Sequence, residues 1–592
     1  MRFLRQRALL GRWLCPMVAS VVVGLCAMVA WFRNLLFVSP ESHLWADSFD
    51  PNFLRWTAEW GYHALGQRFS WSLFWNAPIF YPHSNTLAYS DSLLTFQFIY
   101  TPLRWLGILP LTALYLGLVT CSVVCFSLTV CLLQKLKLFS FVECLLIAYA
   151  AHFSLMMVNF LPHYQLFGFH FAPPFFVALY LFFTRKELKW LFAAEVLYAF
   201  GCCFAVYLTP SLIIMGGALG LLCLPELFRD GGLTKLLRPC VPAGLVSVVI
   251  AGALYFGHVH HYTKMVGGTR EQSLDEIVAY SAVPSSILFG RSIHSYWWKP
   301  HGGGYSQPGD HERAYFPGFL ILLGATLSVA LLVRQGGGVE PNVRRLAFVS
   351  VGMALVAIIL SWGPLVQGHK TPFYFLIEYL PVFKNTRAMG RYGMFAGLWL
   401  GVLLVLGLRL CLAQRLNKLW YNAAVAVVLV VFAVESLPTG QIFKFEEPLK
   451  ERYAILRGLI DPETPVVELP CQSNGHLETI LRVLEQMSGG LYHHGRLVVG
   501  YSGRTSPEAG HLIHLDQQLV AGRISFESLG VELRDRGIKA ILVNLDRYPP
   551  VVVNQLTKTM LQRIGFQEVA RSGEQYVIFR RTEQSDSKRS NY

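Results

Sequence analysis

Long apolar runs separated by short charged segments fill the chain up to about residue 440. The first run covers residues 14–37, which is long enough to cross a bilayer as a helix. Ten further crossings are predicted at 111–133, 141–158, 164–183, 190–228 (two crossings with an outer turn at 207–210), 241–256, 315–333, 346–362, 392–412 and 421–437. The apolar stretch 93–108 is broken by Pro102 and Arg104 and is interpreted as a helix at the outer membrane surface. The pattern therefore predicts an α-helical polytopic membrane protein with about eleven transmembrane helices.

Basic residues set the predicted orientation. Arg2, Arg5, Arg7 and Arg12 precede the first run, and lysine and arginine favour the cytoplasmic ends of membrane helices. The N-terminus is therefore expected in the cytoplasm. An odd number of crossings then brings the C-terminus, together with the loop that follows the first run, to the outer face.

Composition agrees with this class. Apolar residues make up 54% of the 592 residues and charged residues 15%, whereas soluble domains carry about 25% charge. Mean hydropathy is +0.42. The net charge of +14 is accounted for by lysine and arginine in inner loops beside anionic lipid. The predicted partners therefore include membrane lipids and no nucleic acid.

Polarity changes near residue 441, which predicts the domain boundaries. Residues 1–440 are expected to form the transmembrane domain, with a first outer loop at 39–110. Residues 441–581 are expected to form a small extracytoplasmic α/β domain, and 582–592 a disordered tail. The second domain is predicted from strands at 466–469 and 538–543, a helix at 477–487 and a hairpin at 575–580. Ser525 is the expected N-cap of a further helix that ends at Gly537.

Two acidic residues, Asp47 and Asp50, directly follow the first apolar run. If the segment is helical, their spacing of three places them on one face. A carboxylate there can deprotonate an acceptor hydroxyl as a general base. Asp50 precedes Pro51, however, and this pair is also typical of a helix N-cap followed by proline. For Asp50 a catalytic role and a capping role both stay open. For Asp47, which precedes the cap position, the catalytic role is favoured.

Other polar and aromatic residues at the predicted outer face are candidates for binding. Trp56, Trp60, Trp71 and Trp75 are typical of an interfacial aromatic belt, and they can also stack on sugar rings. Two interpretations stay open for His83 and Asp91: they are acid–base or metal-binding groups, or they are solvated loop residues. His163 and Gln165 are two more polar residues, at the outer end of the predicted helix 164–183. Together with His83 and Asp91 they are the candidate substrate-binding residues of this region.

Arg387 and Arg391 lie four residues apart at the outer start of the predicted helix 392–412. A helix N-terminus and two guanidinium groups would bind a lipid phosphate. The alternative is ordinary snorkelling of the two side chains to the interface. A histidine cluster at 258–261 has no further ligand at a metal-binding spacing, so the sequence assigns no metal ligands.

These motifs together resemble those of the multi-spanning C-type glycosyltransferases (the GT-C fold), especially a large bacterial branch. The resemblance covers nearly the whole chain and rests on the acidic pair with Trp56 and on the runs 77–91, 163–165, 387–392 and 494–503. The chain departs from the usual pattern at Asp91 (usually Glu), Met389 (usually Pro) and Val499 (usually Asn).

The resemblance implies a polyprenyl-phosphate-linked sugar as donor and a glycan, lipid or protein as acceptor, at the outer face of the bacterial inner (plasma) membrane. It also implies that an acid of the first outer loop is catalytic. Asp47 is then the expected general base, with Asp50 supporting it, and the two arginines would hold the lipid phosphate. His83, Asp91, His163 and Gln165 would line the site. Some members of the wider fold use a divalent metal and others do not, so the metal question stays open.

Two other classes of function are compatible with a multi-spanning chain. A transporter or flippase of lipid-linked glycans would carry charged residues at mid-membrane depth. The candidates Glu143 and Glu195 are near span ends or isolated, which disfavours this class. A non-catalytic envelope assembly protein is the third reading.

Overall fold

The computed structural model describes residues 2–228, 247–264, 273–289, 294–297, 310–335, 338–380, 383, 386–445, 453, 458–459, 464–471, 476–501, 506–548, 553, 565–572 and 576–582. Helices dominate up to residue 435, and a mixed sheet lies between 465 and 581.

Six helical segments of the described chain are long and apolar enough to cross a membrane: Pro110–Lys135, Phe141–Val158, Tyr164–Arg185, Pro341–Ser361, Met389–Leu412 and Lys418–Glu435. Shorter apolar helices occur at Pro16–Trp31, Leu208–Leu222 and Phe319–Gln335. A polytopic helical membrane protein, as predicted, accounts for these segments. The count of about eleven crossings is not confirmed, and the predicted span 241–256 lies partly outside the described residues.

The helix Ala396–Leu412 is at the centre of the helical part. It packs against Phe319–Gln335, Phe141–Phe153 and Pro341–Ser361. Small residues allow this approach: a Cβ added at Gly407 would lie 2.9 Å from the Gly324 carbonyl oxygen. Close packing through glycine is the usual way in which membrane helices gain contact, because lipid provides no hydrophobic drive between them.

The remaining described helices have a shorter apolar stretch or lie in loops. The first helix begins near the chain start as Arg2–Trp31, and Leu188–Phe204 precedes Leu208–Leu222. The first outer loop contains Asp50–Gly61, Trp71–Trp75 and Leu94–Trp105, so the helix predicted at 93–108 is present. The other helices are Leu155–Val158 (part of the second segment), Ala172–Arg185 (part of the third segment), Leu224–Phe228, His260–Thr263, Leu274–Ala279, Ser286–Phe289, Asp310–Arg313 and Pro372–Tyr379.

Two small sheets connect distant parts of the chain or close a turn. His43–Trp45 pairs antiparallel with Ile442–Lys444. The start of the first outer loop is therefore hydrogen-bonded to the residues that follow the last long helix. The second sheet is a hairpin of Leu365–Val366 with His369–Lys370.

The C-terminal part forms a five-stranded sheet in the order Arg496–Leu497, Pro465–Leu469, Ala540–Asn544, Tyr576–Arg581, Phe566–Ser572. The first three strands are parallel and the last two are antiparallel. Helices His476–His493, Pro507–Val520 and Phe526–Asp535 accompany it.

Several local predictions for this part are confirmed. Strands occupy the predicted runs, and the Ser525 hydroxyl accepts a hydrogen bond from the Ser528 amide at 3.2 Å, as an N-cap does. Gly537 has φ +78°, the left-handed conformation that follows many helix ends. The division into domains and the outer location of this part stay predictions.

Candidate functional site

The first outer loop and the C-terminal sheet contact each other through their backbones. The Leu497 amide donates to the Pro78 carbonyl at 3.0 Å, and the Tyr81 amide donates to the Leu497 carbonyl at 2.9 Å. A Cβ added at Gly500 would lie 2.9 Å from the Phe80 ring, so glycine permits this approach. The sequence runs 77–91 and 494–503 are thus parts of one interface.

A second contact joins the helix Asp50–Gly61 to the helix His476–His493. Arg55 Nη2 donates to Ser488 Oγ at 2.7 Å, and Trp56 Nε1 donates to the Met487 carbonyl at 2.7 Å. Both donors are buried. The start of Asp50–Gly61 is therefore held in place against the C-terminal part.

The tryptophans of the first outer loop form core contacts in place of the predicted belt or sugar platform. Trp56, Trp60 and Trp75 are buried, and only Trp71 of the four is substantially exposed, at 42%. Trp60 Nε1 donates to the Phe74 carbonyl at 3.1 Å. Both sequence interpretations are wrong for the three buried residues, because other segments cover them: Trp56 packs on the C-terminal part, Trp60 lies within the loop itself, and Trp75 stacks on His261.

Asp50 is the first residue of its helix, and the N-cap position belongs to Phe49. Its side chain does not cap the helix. Oδ1 accepts a hydrogen bond from the Tyr501 hydroxyl at 2.8 Å, and Oδ2 pairs with His163 Nδ1. The capping interpretation is wrong because two long-range partners take both carboxylate oxygens. Asp47 precedes the helix, so the helical-face argument does not apply to the pair.

Asp50 is the first of four residues of alternating charge that form successive ion pairs. His163 Nε2 lies 3.6 Å from Glu312 Oε1. Glu312 in turn receives Arg391 through Nη2 at 2.5 Å and through Nε at 3.0 Å. The series Asp50, His163, Glu312, Arg391 is called the charge network below.

The charge network moves the pKa values of its members. Burial would raise the pKa of Asp50, but the charge and hydrogen bond of His163 outweigh it and hold that pKa below the ordinary 3.8. Burial would lower the pKa of His163, yet Asp50 and Glu312 raise it above 6.5. An anionic Asp50 and a cationic His163 therefore stabilise each other.

The pKa of Asp47 is shifted in the opposite direction to that of Asp50. Burial raises its pKa above 3.8, and the nearby charge of Asp50 adds to the effect, although amide hydrogen bonds from Ser48 and Phe49 oppose it. The Ser48 amide donates at 2.6 Å. Within the described ranges no side chain donates to the Asp47 carboxylate. Asp47 is thus the more basic and less engaged of the two acids.

Asp91 holds a turn near the network. Its Oδ1 accepts a hydrogen bond from the Val206 amide at 2.8 Å, in the break between two apolar helices. Burial raises the pKa of Asp91 to about 6, opposed by that hydrogen bond and by the charges of Arg391 and His163. The break between the two helices lies at 205–207, slightly before the outer turn predicted at 207–210.

His83 and Gln165 have different surroundings. His83 Nε2 lies 2.5 Å from Glu508 Oε2, and its carbonyl accepts a hydrogen bond from Arg496 at 2.6 Å. His83 therefore ties the first outer loop to the C-terminal part. Gln165 Oε1 is buried and accepts no hydrogen bond from the part of the chain that the structure describes.

The two arginines differ in their freedom. Arg391 is mostly buried, paired with Glu312, and its guanidinium lies 5.5 Å from the Tyr207 ring centroid. Arg387 is 38% exposed and reaches Glu276 Oε1 only at the long distance of 3.5 Å, with its guanidinium 4.7 Å from the Tyr280 ring centroid. Arg387 is the more accessible cation.

The histidine run at 258–261 shows no metal-binding arrangement. His258 Nε2 hydrogen-bonds the Ser92 hydroxyl at 3.0 Å, and His261 stacks on Trp75 with centroids 4.1 Å apart. Among the residues that the structure describes, no group of three or more His, Cys, Asp or Glu side chains could hold a metal ion.

Sequence reasoning missed Glu312 and Tyr501 as members of the site. Glu312 lies in a polar loop where nothing local distinguishes it from other acids. Tyr501 belongs to the run 494–503 that carries the resemblance, but nothing in that run indicates a contact with Asp50.

The fold is similar to that of a solved membrane enzyme. The arabinofuranosyltransferase AftD from Mycobacteria has a TM-score of 0.55 and 13% identity, covering 96% of this chain. The chain has a GT-C fold. A second AftD structure gives a TM-score of 0.51 at 13% identity, again over 96% of this chain. This chain spans 40% of AftD in the first structure and 41% in the second.

An oligosaccharyltransferase from Archaeoglobus fulgidus has a TM-score of 0.43 and 8% identity, covering 96% of this chain and 73% of that one. No protein-family model and no curated protein sequence matches the chain.

Proposed function

We propose that the chain is a membrane glycosyltransferase that transfers a sugar from a polyprenyl-phosphate-linked donor to an acceptor hydroxyl on the outer face of the bacterial inner membrane. The observation that carries the proposal is the pair of Asp47 and Asp50 on a GT-C fold. Their pKa values move in opposite directions. Such separation lets one carboxylate accept a proton while its neighbour stays charged.

Asp47 is the general base of this scheme. The acceptor oxygen attacks the anomeric carbon, the bond from that carbon to the phosphate oxygen breaks, and polyprenyl phosphate leaves. Asp47 takes the hydroxyl proton as the new glycosidic bond forms. Its raised pKa makes it a better proton acceptor than an ordinary aspartate, and no described side chain competes for its carboxylate.

Arg387 is the proposed contact for the donor phosphate. It is accessible, and its distance to Glu276 is long for an ion pair. Arg391 is already engaged by Glu312, so its role is to hold the charge network. Asp91 and Gln165 would line the site, and His83 would fix the first outer loop against the C-terminal part.

The test uses the full chain in membrane vesicles with undecaprenyl phosphate carrying a radiolabelled pentose or hexose. Release of unglycosylated undecaprenyl phosphate measures transfer whatever the acceptor is. Asp47→Asn keeps the side-chain shape and removes the proton acceptor, so release should fall by roughly 10²–10⁴-fold. Asp50→Asn should also lower release, because it removes the counter-charge of His163.

Wild-type activity in Asp47→Asn would contradict the assignment of the base. No release from any donor by the wild type would instead favour the transport or assembly readings. A parallel series with a chelator tests whether the two carboxylates act through a divalent metal. If they do, the chelator should abolish activity and added Mg²⁺ or Mn²⁺ should restore it.

A further inference from the structure

Tyr501 reaches the site from the C-terminal part of the chain. Its hydroxyl donates to Asp50 Oδ1 at 2.8 Å. Its amide lies 3.1 Å from the Met487 sulfur, and its ring meets Phe53 edge-on with centroids 5.5 Å apart. Tyr501 is therefore fixed by the same two helices that dock on each other through Arg55 and Trp56.

Each oxygen of Asp50 has a donor from a different region. Tyr501 supplies one from the C-terminal part, and His163 supplies the other from the outer end of a long helix. Hydrogen bonds to a charged acceptor are stronger than neutral ones. Both donors stabilise the ionised carboxylate and restrict its rotation.

We propose that Tyr501 is a positioning residue of the transfer reaction: its hydroxyl fixes the Asp50 carboxylate, so the site is complete only when the C-terminal part is docked on the first outer loop. This inference rests on the proposed function. It assigns the C-terminal part a share in the chemistry. Tyr501 acts through Asp50 and need not touch the sugar.

The matched variants are Tyr501→Phe and Tyr548→Phe. Tyr548 also donates its hydroxyl to an aspartate, Asp516, at 2.7 Å, and both residues are buried within the C-terminal part. Each variant removes one Tyr–Asp hydrogen bond and keeps the ring. If the lost hydrogen bond only weakens the fold, both variants should lose activity. If Tyr501 positions Asp50, only Tyr501→Phe should lose activity.

Two readouts separate the inference from the proposed function. Carbodiimide modifies protonated carboxyl groups, so peptide mass spectrometry over a pH series reports the ionisation of Asp50 without any substrate. Tyr501→Phe should begin to label Asp50 about one pH unit higher than the wild type. Release of undecaprenyl phosphate should fall about 10- to 100-fold in kcat, the size expected for one hydrogen bond to a charged group, with KM for the donor unchanged.

Tyr548→Phe should leave the labelling of Asp50 and kcat unchanged. Unchanged labelling of Asp50 in a folded Tyr501→Phe protein would overturn the inference, as would an equal loss of kcat in both variants. A wild type that shows the expected labelling but releases no undecaprenyl phosphate would overturn the proposed function, and with it the catalytic purpose of the contact, although the hydrogen bond itself would stand.

Discussion

Glu312 and Arg391 form a two-point ion pair, with Glu312 Oε1 2.5 Å from Arg391 Nη2 and Oε2 3.0 Å from Nε. The Glu312 side chain is only 2% exposed. The pair joins the segment before the helix Phe319–Gln335 to the start of the central helix. Through His163 it continues to Asp50, so the position of the acidic site depends on contacts inside the helical part.

Arg391→Ala should destabilise the protein by about 3–5 kcal/mol, because it leaves Glu312 buried without its main counter-charge. Arg387→Ala should cost less than about 1 kcal/mol, since exposed ion pairs contribute little, and should raise KM for the donor. Thermal unfolding in detergent micelles measures the first effect, and donor titration measures the second.

The double variant Arg391→Met/Glu312→Gln is the control for the buried charge. It removes both charges together and should recover most of the stability lost in Arg391→Ala. Equal stability of Arg391→Ala and Arg387→Ala would show that Glu312 does not depend on Arg391.

The ion pair of His163 and Asp50 makes stability depend on pH. The pKa of His163 is raised, so its contribution is complete below 6.5 and is lost as pH rises through its higher folded pKa. The pKa of Asp50 is lowered, so its contribution is complete above 3.8 and is lost as pH falls through its lower folded pKa. The pair should therefore stabilise the protein most between these two ordinary values.

His163→Gln should lower stability by about 1–3 kcal/mol inside that window, and the difference from the wild type should shrink at higher pH. Thermal unfolding across a pH series measures it. His511→Gln, which alters an exposed histidine paired with Glu532, is the control and should follow the wild-type curve. A constant difference at all pH values would contradict protonation of His163 as the cause.

The long helices could be predicted from the sequence because every backbone group in lipid must be bonded within its own helix, which requires long apolar runs. The long-range contacts of the site could not. Tyr501 is 451 residues from Asp50, and Arg391 is 79 residues from Glu312. No local pattern encodes such pairs.

Local signals also misled where tertiary contacts compete with them. Asp50-Pro51 is typical of a cap, but His163 and Tyr501 occupy the carboxylate instead. The tryptophan-rich loop is typical of an interfacial belt, but Trp56 is buried against the C-terminal part and Trp75 against His261. In both cases the residue type was informative and its partner was not visible.

The buried and exposed tryptophans of the first outer loop should respond differently to substitution. Trp56 is 1% exposed and donates to the Met487 carbonyl. Trp56→Phe should cost about 1–3 kcal/mol, because the buried contact loses the indole hydrogen bond and the smaller ring leaves unfilled space. Trp71→Phe should change stability by less than about 0.5 kcal/mol.

Thermal unfolding in detergent micelles compares these two variants, and donor titration shows whether either ring contacts the sugar. A raised KM in Trp56→Phe without loss of stability would restore the interpretation of Trp56 as a sugar-stacking residue.

The predicted membrane orientation concerns two segments that must lie on the same side of the bilayer, because they are paired with each other. His43–Trp45 is paired with Ile442–Lys444, so the start of the first outer loop and the C-terminal part share a face. Asp50 and Tyr501 share it too. The arginines before the first helix favour a cytoplasmic N-terminus, so we predict that one crossing carries this shared face outside.

Alkaline phosphatase, which is active only after export, should therefore be active when fused after Tyr592. A fluorescent protein that matures only in the cytoplasm should be dark there. The same reporters fused after Arg415, between the helices Ala396–Leu412 and Lys418–Glu435, should give the opposite result, because one crossing separates the two positions. Reversal of both fusions together would move Asp47 and Asp50 to the cytoplasm, where nucleotide sugars are available, and would remove the reason for a lipid-linked donor.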